Sequence, residues 1–246
     1  MKILIVSFLF LLSSCGSMFT HKADQSKVKL IDGLVNKIAF KKLKSVRSSN
    51  KMLVRLKRGQ WVASVSTDKK SGEKSLMIRK VVRLKKGFVT IETETYSSSN
   101  KNPLSPMVIQ QVIKGYPKRF AVNGKMSFSK LLSKFEIVSM KMKDGNGEVQ
   151  DMSAAGSSPL VKMGLTGVGG QIELGKVTRK SCHTKYLKSS RCYYVPFKIG
   201  VMGFNISGTT VQNSRIPIVG YLNSDSEQLS EVVIAYGFQG RKVIIK

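Results

Sequence analysis

From Met52 onward apolar and polar residues alternate with a period of two, in short runs broken by turns rich in glycine, lysine and aspartate. Such alternation belongs to strands, whose successive side chains point to opposite faces. Trp61, Ala63 and Val65 interleave with Val62, Ser64 and Ser66, and after Asp68-Lys69-Lys70-Ser71-Gly72 an apolar-rich run extends from Leu76 to Leu84. Lys85-Lys86-Gly87 then turns the chain into Val89, Ile91, Thr93 and Thr95, with Thr90, Glu92 and Glu94 on the other side. The pattern predicts an antiparallel meander with one face toward water. On that face Glu92 and Glu94 read as solvated ion-pair partners. Trp61, the only tryptophan, reads as a core anchor.

The same rhythm returns further along. Val138, Met140 and Met142 lead into Asp144-Gly145-Asn146-Gly147, a strong turn signal, and the chain comes back through Val149. Short strands are expected around Ile172 and Val177, at Tyr193–Val201, Phe204–Val211, Ile216–Tyr221, Val232–Tyr236 and Val243–Ile245. Helical spacing occurs near the start, where Val28, Ile31, Leu34, Val35, Ile38, Leu43 and Val46 recur at steps of three and four. Lys29, Lys37, Lys41 and Lys44 fall opposite, which predicts a basic amphipathic helix. Its apolar stripe packs on the sheet or lies on a membrane surface. A short helix is also expected from Ser105-Pro106 through Gln110 and Val112 to Gly115, and residues 154–159 form a small-residue linker where two halves of the domain would meet. The glycines from Gly164 to Gly170 precede Gln171-Ile172-Glu173-Leu174-Gly175, which is no helix start, so they read as a turn rather than a phosphate loop.

Before all of this stands a leader. Lys2 is followed by an apolar run from Ile3 to Leu12, interrupted only by Ser7, and then by small residues ending at Cys15. About ten apolar residues are half of what a bilayer core requires, and their order is that of an export signal. Leu12-Ser13-Ser14-Cys15 resembles the lipobox of bacterial lipoproteins. That resemblance implies a signal peptide over residues 1–14, diacylglycerol on Cys15, and anchoring by acyl chains alone. Gly16 is not the aspartate that retains many such proteins on the inner membrane, so the outer membrane is the implied destination. A polar, flexible stalk is expected through Lys27, then one domain over residues 28–246. About 230 residues suffice for a proper core.

Export sets the reading of the remaining thiols. Cys182 and Cys192 flank a lysine-rich stretch that reads as a hairpin, and in an oxidising compartment they most simply form one disulfide. Of the two histidines, His183 is adjacent and His21 lies in the stalk, so neither metal nor cofactor is expected. Catalysis is not expected either. No serine lies in Gly-x-Ser-x-Gly, and the carboxylates lack paired-acid spacing.

Lysine and arginine number 42 against 14 acids, a formal charge of +28, while 41% hydrophobic residues leave ample material for a core. On an exported, tethered protein this excess points to anionic lipid headgroups or anionic envelope polymers rather than nucleic acid. Gly59-Gln60-Trp61-Val62, Ile216-Pro217-Ile218-Val219-Gly220 and Tyr236-Gly237, in that order, resemble a group of uncharacterised bacterial envelope proteins. Those in turn resemble the lipoprotein-localisation carriers. The resemblance implies a mainly β (α+β) fold, a large curved antiparallel sheet or half-barrel with one N-terminal helix and one or two short ones. It also implies an apolar concave face for a lipid, lipoprotein or partner protein. Two functions are therefore open: burial of an apolar ligand, or binding of anionic polymers and headgroups by the basic surface.

Overall fold

β-branched and aromatic residues in alternating runs bury one face of each strand only when neighbouring strands pair, and here nearly all of them pair in a single sheet. The computed structural model describes residues 22–47, 53–116, 119–121, 136–156, 172–201 and 204–245. Cys15 with its leader, and the glycine run 164–170, lie outside them. The strands are β1 (Lys44–Ser45), β2 (Leu53–Arg55), β3 (Trp61–Asp68), β4 (Lys74–Lys85), β5 (Phe88–Ser97), β6 (Met107–Lys114), β7 (Arg119–Ala121) and β8 (Glu136–Lys143). They continue with β9 (Val149–Asp151), β10 (Ile172–Leu174), β11 (Thr178–His183), β12 (Leu187–Val201), β13 (Phe204–Gln212), β14 (Tyr221–Ser226) and β15 (Leu229–Gly237). Helix α1 spans Gln25–Ile38, and a single turn, α2, spans Ser153–Gly156.

Thirteen of these strands make one sheet, ordered β1-β12-β13-β14-β15-β3-β4-β5-β6-β8-β9, with β10 and β11 also on β12. The sheet is curved and unclosed, and the fold is mainly β as expected. Two meanders join at its centre, where β15 runs antiparallel to β3 from Leu229 opposite Asp68 to Gly237 opposite Trp61. Arg79 on β4 hydrogen-bonds Tyr221 on β14, with β3 and β15 between them. The sheet therefore curls toward the face that carries Arg79.

That concave face is packed with Val62, Val81, Ile91, Leu222 and Val233, all buried. On the other face α1 lays Ile31 and Val35 against Leu76, Ile78 and Ile234. Ile31 is fully buried, and one such side chain contributes about 1.5–3 kcal/mol. The helix thus packs on the sheet, with Lys74 on β4 bonded to Asp32 at 2.8 Å. It starts and stops earlier than its periodicity predicts. Asp24 caps it by accepting from the Ser26 N–H, and the Ala23 N–H donates to the Ser71 carbonyl, so the chain is bonded to the domain from Ala23, ahead of the Lys27 boundary expected for the stalk. Ala39 turns extended, and β1 pairs with Leu187 and Lys188 where helix was expected.

Three further expectations are corrected. Residues 107–114 form a central strand instead of a short helix, because Val108, Ile109, Val112 and Ile113 pair with both β5 and β8. Residues 216–220 form a buried loop instead of a strand. Pro217 has no N–H for a ladder, Ile218 has φ 61°, and the Asn213 N–H closes the loop on the Gly220 carbonyl. Residues 243–245 pair with no strand, and the chain bends at Ile244. The N–H groups of Ile244 and Ile245 go to a side chain instead, as described below.

Candidate functional site

Three polar assemblies stand out among the described residues. The first lies in the concave core. Arg79, fully buried, bonds Glu231 at 3.0 Å and the Ser64 hydroxyl at 3.0 Å, while Ser64 donates to the same carboxylate oxygen at 2.6 Å. Burial pushes the neighbouring Tyr116 hydroxyl well above its ordinary range, with Arg79 opposing, so this tyrosine stays protonated. Ile216, Ile218 and Val219 of the buried loop join the same concave core as Val62 and Leu222.

The second assembly overturns the expectation that Glu92 and Glu94 are solvated. Both are buried, at 1% and 7% exposure, because the C-terminal segment crosses the outer face of β3 to β6. Glu92 accepts the N–H groups of Ile244 at 3.0 Å and Ile245 at 3.0 Å, and Gln110 donates to the Ile245 carbonyl at 2.6 Å. Arg241 bonds Glu94 at 3.4 Å and lies 5.2 Å above the Trp61 ring, whose N–H donates to the Gln239 carbonyl. Lys80 sits opposite Glu92 on the adjacent strand, and its ammonium has no hydrogen-bond partner among the described residues. Burial lowers its pKa, with Glu92 and Glu94 opposing. Trp61 is half-buried, serving as a clamp for the C-terminal segment as well as a core residue. Apart from the Lys80 ammonium, the charged groups of these two assemblies bond to one another or to the chain that covers them, and they serve packing.

The third assembly is the candidate site. In an antiparallel meander, successive turns fall alternately at the two ends of the sheet, so turn composition sets the charge of each end. One end carries Asp68 and Glu73 beside Lys69 and Lys70, Asp144 and Glu148 beside Lys143, and Asp225 and Glu227. Acids and bases are roughly matched there. The N-terminal segment also enters at this end, through the bond from Ala23 to Ser71.

The opposite end is different. Lys57 and Arg58 precede β3, Lys85 and Lys86 join β4 to β5, and Lys185 tips the hairpin of β11 and β12. Lys41, Lys42 and Lys44 follow α1. All of these are exposed. The one acid in the described segments of this end is Glu136, paired with Lys114 at 3.0 Å. The twelve residues of β4, at about 3.3 Å per step, hold the two ends roughly 36 Å apart.

Aromatic rings support the cations. The Lys44 ammonium lies 4.7 Å from the Phe40 ring, Lys180 lies 4.4 Å from Tyr194, and Lys185 lies 5.5 Å from Tyr186. Such contacts fix long side chains that would otherwise lose entropy on binding. Cys182 and Cys192 are disulfide-bonded with their Cα atoms 5.9 Å apart, which holds β11 to β12 across a bulge. His183 is exposed beside them, and no group of three metal-ligating side chains occurs among the described residues. Nor, among those residues, is any helix long and apolar enough to cross a membrane.

The individual lysines were visible in the sequence, but their gathering at one end was not. It depends on strand direction, which sets the end each turn occupies.

No protein-family model matches the chain, and no curated protein sequence matches it. Among solved structures it is similar to a Bacteroides fragilis protein described as exported and as having a YmcC-like fold. Identity there is 8% over 76% of this chain and 99% of that one, with a TM-score of 0.33. It is also similar to a Parabacteroides distasonis protein described as a lipoprotein, at 12% identity over 75% of this chain and 97% of that chain, with a TM-score of 0.31. Both likenesses are remote.

Proposed function

We propose that this is a non-catalytic, lipid-anchored protein of the bacterial cell envelope, held at the outer membrane through Cys15, which binds anionic groups with its cation-rich end. The observation that carries the reading is charge polarity along the strand axis. A uniformly basic surface would serve solubility alone, whereas among the described residues acids stand beside bases at one end and a single acid, Glu136, stands at the other. The concave face supports the apolar-ligand reading less, because among the described residues it is filled by the chain's own side chains, including Ile216, Ile218 and Val219.

The test uses the chain from Gly16 onward, exported behind a cleavable signal and applied to immobilised polyphosphate. Retention is expected to fall as salt shortens the Debye length from about 10 Å at 0.1 M to about 3 Å at 1 M. Lys41→Glu, Lys42→Glu and Lys44→Glu together should abolish retention, while Lys69→Glu with Lys70→Glu at the balanced end should leave most of it. Equal losses in the two variants would sink the reading.

A further inference from the structure

The cation-rich end also carries bare apolar side chains. Leu43 is 47% exposed between Lys42 and Lys44, Phe88 is 37% exposed just after Lys85-Lys86-Gly87, and Phe238 is 53% exposed shortly before Arg241 and Lys242. Single exposed apolar residues are ordinary on any protein. Leu104 and Val149 are as exposed at the balanced end, but there acids stand beside the bases, whereas Leu43 and Phe88 each lie next to two exposed lysines and Phe238 follows β15 at that same end of the sheet. Two of the three also belong to one surface. Phe238 stacks edge-on against Tyr236, Tyr236 against Phe40, and the Lys44 next to Leu43 lies over Phe40 and Tyr236.

A soluble polyanion has no use for apolar tips among the lysines, since it offers no apolar phase to receive them. An anionic bilayer does, because its phosphates meet the ammonium groups while leucine and phenylalanine enter the headgroup boundary. The position of the tether then decides which bilayer. Eight residue steps from Cys15 to Ala23 extend at most about 28 Å. That is short of the roughly 36 Å between the two ends of the sheet, so an upright domain cannot bring its far end to the membrane that holds its lipid.

We propose that the cation-rich end docks on an anionic bilayer facing the one that carries the anchor, with Leu43, Phe88 and Phe238 entering the interface. The proposal rests on the lipid-anchored reading above and names the partner of the same end.

The lipidated full-length mature protein, reconstituted in phosphatidylcholine vesicles, is mixed with a second population containing phosphatidylglycerol, and clustering is followed by light scattering. Clustering is expected with the anionic vesicles and not with further neutral ones. Leu43→Ser, Phe88→Ser and Phe238→Ser together should weaken it about tenfold or more, while the same triple variant keeps full retention on polyphosphate. All three positions are exposed, and that retention also reports that the variant is folded. As an independent readout, Phe238→Trp should gain quenching by brominated acyl chains beyond that of Trp61 alone. Undiminished clustering by the triple variant, or no quenching gain, overturns insertion and leaves the anion-binding reading intact. Loss of both clustering and polyphosphate retention in the unsubstituted protein overturns both.

Discussion

At the scale of single residues, the fold depends on charges placed where water is absent. Removing one partner of a buried pair strands the other, which costs about 3–5 kcal/mol, whereas replacing both with apolar residues is often neutral. Glu231→Gln should therefore lower the unfolding free energy measured by urea denaturation by an amount in that range, while Arg79→Met combined with Glu231→Leu should recover most of it. Single and double variants of equal stability would show that the pair is not coupled. Glu94 has a pH signature. Burial raises its pKa, with Arg241 opposing, so the folded state holds this proton more tightly than the unfolded chain. Stability contributed at Glu94 is then present at low pH and lost as pH rises from the ordinary carboxylate range through the raised value. As pH rises above the ordinary carboxylate range, the Glu94→Gln protein should show a flatter midpoint profile than the parent. This burial was not legible in the sequence. Glu92 and Glu94 alternate with Ile91 and Thr93 as solvent-facing residues do, and the segment that covers them lies at the far end of the chain.

At the scale of elements, β3, β4, β5, β8 and β15 form where the alternating runs predict strands, although β4 and β5 are buried on both faces over Leu76–Val81 and Val89–Glu94 because α1 and the C-terminal segment cover the second face. Where reading failed, another group had taken over the backbone hydrogen bonds. The Glu92 carboxylate accepts from Ile244 and Ile245 in place of a neighbouring strand, and the loop at Asn213 to Gly220 bonds to itself. The glycine that ends β15 has a tertiary cause. A Cβ on Gly237 would lie within 2.7 Å of the Trp61 ring. Gly237→Ala should displace that indole, shift its fluorescence and cost about 1–3 kcal/mol, whereas Gly72→Ala, with open space around it, should leave the fluorescence unchanged. The disulfide expected between Cys182 and Cys192 is present. Its bridge closes a loop of sequence separation 10, and its loss should destabilise the domain by about 2–4 kcal/mol. Denaturation of a Cys182→Ser and Cys192→Ser double variant measures this, and an unchanged midpoint would assign the bridge no role in stability.

For the whole molecule, the pairing of β15 with β3 has a bearing on the order in which the chain can become a protein. The first long strand and the last form the middle seam of the sheet, so neither meander meets its partner until nearly all of the polypeptide has been made. Contacts this distant in sequence form slowly, since the loop between them must close first. A chain still emerging from the ribosome holds at most the N-terminal meander, with β3 presenting an unpaired edge. The envelope location proposed above requires translocation of a polypeptide that has not yet closed up, and this topology delays that closure without any change in the stability of the finished fold. The same delay leaves two sticky edges exposed in transit, so a truncation before Leu229 should yield aggregates rather than a smaller folded domain. Solubility after export of chains ending at Glu227 and at Lys246 would show it, and a soluble, protease-resistant shorter chain would contradict it.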